Sequence, residues 1–174
     1  MEKTKFDNSL LDIMLEEEAW KNVSRDGILT ESQLEKYRSK LDWEAVTTNS
    51  NIHWTPAMLE RFKHDIDWQQ MSSWAGADLL CPEVVERFAD RWDWKELSRN
   101  SALPLDTIGV YADRLDWGEL IERYADRDNP IFDRTFLETY ADYIPADRLK
   151  DSTLWYALVE EREKELNRAL FMEA

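Results

Sequence analysis

The chain has 174 residues, 43% of them hydrophobic, with nine tryptophans, four glycines and a net charge of −15. That supplies a core for one domain of ordinary size and excludes a disordered chain. Residues 1–104 carry 20 acidic and 13 basic side chains and residues 105–174 carry 17 and 9, so negative charge covers the whole length and disfavours nucleic acid or an anionic membrane as a partner.

The first stretch, MEKTKFDNSLLDIMLEEEAW, places acidic residues inside its only apolar run and offers no small-residue cleavage site. It is not a secretory signal, and a cytoplasmic location is expected. Leu10, Leu11, Met14 and Leu15 are expected to cover the open end of the downstream fold. No apolar run approaches a membrane span.

Downstream of this stretch the chain repeats itself. The phrases KYRSKLDWEAV, RFKHDIDWQQM, RFADRWDWKEL and VYADRLDWGEL place Trp43, Trp68, Trp94 and Trp117 at intervals of 25, 26 and 23 residues. With each tryptophan at position zero, −9 holds Leu34, Leu59, Val85 and Ile108, −6 holds Tyr37, Phe62, Phe88 and Tyr111, and −2 holds Leu41, Ile66, Trp92 and Leu115. Gaps of three and four residues mark one face of an α-helix. Position −14 (Leu29, Trp54, Leu80, Leu103) and position +3 (Val46, Met71, Leu97, Leu120) are also apolar. Degenerate copies flank these four. Trp20 carries Phe6, Leu11, Met14 and Val23 in the same slots, and Phe132, Leu137, Tyr140, Ile144 and Leu149 surround Ala146, with Pro145 in place of Asp.

Each unit is expected to form two short helices. Asp7, Thr30, Thr55 or Asp133 at −13 caps the first, and Pro56 and Pro82 suit its first position. The first helix is expected to run about eleven residues to −2. Asp42, Asp67, Asp93 and Asp116 at −1 cap the second, and Gln70, Glu96 and Glu119 complete capping boxes. Asn49 and Asn100 at +6 suit a left-handed helix end. After Ser152, LWYALVEEREKELNRALF reads as a longer helix closing the stack. The expected fold is an all-α solenoid of about six two-helix repeats of 23–29 residues with a C-terminal capping helix, one domain over residues 1–174. The units are 6–28, 29–53, 54–79, 80–102, 103–130 and 131–151, and the capping helix is 152–172.

Chemistry-bearing constellations are sparse. His53 and His64 are the two histidines and Cys81 the one cysteine. No zinc, phosphate-loop, nucleophile-elbow or calcium-loop spacing occurs, so neither enzyme activity nor a cofactor or metal is expected. Two surface features stand out. Lys36, Arg61 and Arg87 recur at −7, with Lys40, Arg91 and Arg114 at −3, beside Glu35, Glu60 and Glu86 at −8. These stripes are expected to pair across units, or else to form a basic ribbon facing an acidic partner. At +6 the second full unit replaces Asn by Trp74, a contact-anchor residue type. Trp74, Arg61 and Arg87 are therefore the candidate partner-binding residues.

The phrases LDWEAVTTN, IDWQQMSSW and LDWKELSRN, with the linker Trp54-Thr55-Pro56, resemble tandem Leu-Asp-Trp helical repeats in uncharacterised proteins of bacteria, phages and large DNA viruses. The resemblance covers residues 6–150 and implies a helical repeat without implying activity, cofactor or site. The function expected is a non-enzymatic protein-protein interaction module. The alternative is a small acidic inhibitor or immunity-type protein that neutralises a basic effector.

Overall fold

The computed structural model describes residues 8–123 and 131–172. Among them are twelve α-helices and no strand. The chain is all-α, as its periodicity predicts. It divides into two compact units, Met1–Met71 and Ser72–Ala174.

The first unit contains α1 (Asn8–Asp26), α2 (Glu31–Lys36), α3 (Trp43–Thr47) and α4 (Pro56–Phe62), and α5 (Trp68–Trp74) begins in it. The second contains α6 (Pro82–Arg87), α7 (Trp94–Arg99), α8 (Leu105–Val110), α9 (Trp117–Glu122), α10 (Arg134–Thr139), α11 (Ala146–Leu149) and α12 (Thr153–Met172). Helices α2–α11, four to seven residues each, are too short to be stable alone, so they depend on burying one apolar face. The buried face is the one the repeat register marks. Leu34, Leu59, Val85 and Ile108 at −9 are fully buried, as are Val46, Leu97 and Leu120 at +3. Second-position helices pack on one another, α1 on α3 and α7 on α9, and the first-position α6 packs on α8.

The caps match the sequence. Thr30 accepts from the Gln33 amide and Gln33 returns the bond, a complete capping box; Thr55 accepts from Met58 and Asp133 from Phe136. Asp42, Asp67, Asp93 and Asp116 accept from amides of the first turns of α3, α5, α7 and α9. Asp7, expected as a cap, and Phe6 lie outside the described residues.

Five expectations need correction. First, the first helices run six or seven residues, not eleven. They end at or beside the −6 aromatic, where Tyr37, Phe88, Tyr111 and Tyr140 leave helical geometry at φ between −106° and −120° and ψ of 15° to 26°. The carbonyl of Tyr37, Phe62 and Phe88 then accepts from both the −3 and −2 amides, making a separate turn. Second, the Trp20 unit is one continuous helix, α1. Ala19 stands where the four full units have Asp, so nothing caps a second start and the helix runs through.

Third, Gln70, Glu96 and Glu119 do not close capping boxes. The amide of each −1 Asp donates instead to a hydroxyl of the preceding repeat: Asp42 to Ser24, Asp67 to Thr47, Asp93 to Ser72 and Asp116 to Ser98, at 2.8–3.2 Å. Fourth, Asn49 and Asn100 are not left-handed; Asp151 is the one non-glycine residue with positive φ among those described. The Asn100 amide donates to the Ser72 and Ala75 carbonyls, and that of Asn49 to Ser24 and Gly27. These asparagines therefore tie neighbouring repeats together. Fifth, the terminal apolar residues are not covered. Leu10, Met14 and Leu15 of α1, and Leu166 and Leu170 of α12, are about half exposed or more. Only the first turns of α12 pack, with Leu154 fully buried and the Thr153 hydroxyl donating to the Glu122 carbonyl.

Candidate protein-binding surface

The tryptophans that define the repeat are taken up by the fold. Each indole N–H donates to the carbonyl five residues earlier, closing the turn after the first helix: Trp43 to Arg38, Trp68 to Lys63, Trp94 to Ala89 and Trp117 to Ala112, at 2.8–3.2 Å. The ring then meets the −6 aromatic of the next repeat. Trp20 packs on Tyr37, Trp43 on Phe62, Trp94 on Tyr111 and Trp117 on Tyr140, with centroids 5.0–5.4 Å apart. Contacts of this kind add about 0.5–1.5 kcal/mol beyond burial. The first helix stops at −6 for this reason: the aromatic must turn from its own helix onto the preceding tryptophan.

The charged stripes resolve into local partnerships. Lys40 lies over the Trp20 ring and pairs with Glu16 at 2.7 Å, while Arg114 lies over Trp94 at 4.8 Å. Two of the −3 cations, Lys40 and Arg114, thus cover aromatic faces. Glu35 and Glu60 pair within their own units, with Arg38 and Lys63, and Glu86 accepts the Tyr111 hydroxyl at 2.8 Å. Burial, then the Glu86 carboxylate, push the Tyr111 phenol up to about 12. Among the pairs that cross repeats are Arg38 with Asp65, Nε to carboxylate 2.9 Å, and Arg99 with Glu119 at 2.7 Å. The Arg99 hydrogen bond holds the Glu119 carboxyl below its usual range. Arg123, 5% exposed, takes the +6 place in the last full repeat and donates to the Asn100 carbonyl at 2.8 Å. Burial lowers it to about 10, which leaves it charged at neutral pH.

The three candidate residues differ in setting. Trp74 ends α5 and is 70% exposed, in contrast to the buried Asn49 and Asn100 at the same register. Arg61, in the first unit, pairs with Glu31 at 2.6 Å with about half its side chain still accessible. Arg87, in the second unit with Trp74, is exposed, and its guanidinium lies 5.6 Å from the Phe88 ring centroid. The basic groups at −7 are thus partnered yet accessible, and Trp74 is a large aromatic left on the surface within the repeats, as Tyr156 and Phe171 are on α12.

Sequence reasoning missed two further surfaces, the half-exposed apolar sets of α1 and α12, because it assigned both to end-capping. It also missed the +4 hydroxyls, although Ser24, Thr47, Ser72 and Ser98 recur in register and were readable. Among the described residues no group of three or more His, Cys, Asp or Glu side chains converges to hold a metal ion, and no helix is long and apolar enough to cross a membrane. No protein-family model, curated protein or solved structure matches the chain.

Proposed function

We propose that this protein is a non-enzymatic protein-binding module, an α-solenoid of about six repeats whose exposed face docks another protein. The observation that carries the reading is Trp74. At the register where Asn49 and Asn100 are buried ties, the chain places an aromatic side chain that is 70% exposed, and tryptophan in that setting is a favoured interface anchor. Arg61 and Arg87 supply accessible positive charge on an acidic chain and set orientation more than affinity. The partner is a protein presenting an apolar pocket, and no cofactor takes part.

Quantitative affinity capture on the wild-type chain and on Trp74→Ala tests this. A specific partner held by the wild type and depleted by Trp74→Ala is the expected result. Identical partner sets for the two chains would overturn the Trp74 surface. The net charge of −15 favours a second reading, a small acidic inhibitor that neutralises a basic effector. On that reading the captured protein is strongly basic, and adding the chain abolishes its activity.

A further inference from the structure

The aspartates at −1 give the joints between repeats a common reporter. The amide of Asp42, Asp67, Asp93 or Asp116 donates to a hydroxyl of the repeat before it. Beside that bond, other joints carry a side chain that donates to main-chain carbonyls of the preceding repeat. Asn49 and Asn100 each reach two such carbonyls, Arg123 reaches that of Asn100, and the Thr153 hydroxyl reaches that of Glu122. At +6 of the α4–α5 repeat stands Trp74, whose single N–H cannot reproduce the paired donation of a carboxamide.

The joint between the α2–α3 and α4–α5 repeats is held differently. Its Trp43–Phe62 ring contact and its bond from the Asp67 amide to the Thr47 hydroxyl follow the common pattern. Two ion pairs also cross it, Arg38 with Asp65 and Arg61 with Glu31, all four residues lying in the first unit. Their side chains are 20–53% exposed. Pairs this accessible contribute little and weaken as salt rises. A second fault lies beside Phe62. Trp54 replaces the leucine found at −14 in the other full repeats and packs edge-on against Phe62 at 6.5 Å. Its buried indole N–H has no hydrogen-bond partner among the described residues. An unmatched buried donor costs stability, and opening returns it to water.

We propose that this joint is a salt-sensitive opening in the array. There the α4–α5 repeat parts from the α2–α3 repeat before the joints at Asp93 and Asp116 yield, and the parting uncovers Phe62, which is fully buried in the closed form. The proposal does not depend on the protein-binding reading.

Native-state hydrogen exchange of the full chain, followed by NMR at the amides of Asp67, Asp93 and Asp116, tests this directly. In about 0.05 M sodium chloride the protection of Asp67 is expected to be lower than that of the other two by about tenfold or more. In about 0.5 M it should fall by a further factor of about three or more, while Asp93 and Asp116 change by less than about twofold. Arg38→Gln with Arg61→Gln removes both ion pairs. In that variant Asp67 should lose protection at low salt and no longer respond to added salt. Equal protection at the three amides overturns the proposal. So does a common salt response at all three, which shows general loosening, or a salt response at Asp67 that survives in the double variant. If the double variant does not fold, the comparison of the three wild-type amides decides alone.

Discussion

At the scale of single residues, stability is concentrated in polar side chains that serve two repeats at once. The Ser98 hydroxyl donates to the Trp94 carbonyl and accepts from the Asp116 amide, and the side chain is fully buried. Ser98→Ala removes both bonds and should lower unfolding free energy by about 1–3 kcal/mol in urea melts. Asp93→Ala, which strips a cap from α7, should cost about 0.5–2 kcal/mol and leave partner capture intact. Glu119 gives a pH signature. Its folded-state carboxyl is depressed by Arg99, so its contribution is complete above the ordinary carboxylate range and is lost as pH falls through the lower folded value. The urea midpoint of Glu119→Gln should therefore lie below that of the wild type at neutral pH and converge on it in acid.

At the scale of elements, the joints are held by ring contacts and indole-to-carbonyl bonds, with an asparagine tie added at Asn49 and at Asn100. Asn100→Ala abandons the Ser72 and Ala75 carbonyls and the Ala102 amide in a buried setting, and the expected loss is about 2–4 kcal/mol. Trp94→Phe keeps an aromatic ring but gives up part of its area and the bond to Ala89, for a loss of about 1–3 kcal/mol measured the same way. The sequence made the helices legible because caps and apolar spacing are local: Thr30, Thr55 and Asp93 act on amides two or three residues away. It hid the joints. The partners of Ser98 and Asn100 lie 18 to 28 residues distant, and no local rule announces that Tyr37 must leave its helix to reach Trp20.

For the molecule as a whole, packing is uneven. The repeats bury their marked positions, whereas every residue of α12 from Arg162 to Met172 is exposed. Removing residues 163–174 should leave the thermal midpoint within about 2 °C of the intact chain. The sequence could not reveal this, since Leu166 and Leu170 have the spacing of a buried edge and spacing says nothing about whether a neighbour is present. The candidate surface was half legible: breaking the register singled out Trp74, whereas α1 looked like an ordinary lid.

Ile121 and Pro145 bear on how such a chain can grow. Ile121 stands at +4, where the earlier repeats carry the joint hydroxyl, and it is fully buried. Pro145 stands at −1 of the next repeat, where the missing amide has nothing to donate. One loss excuses the other. A gene segment of one full period copied in frame upstream of Trp117 would bring a hydroxyl and an aspartate amide to each new junction and lengthen the array. The same copy inserted after Ile121 would present an aspartate amide to an isoleucine side chain.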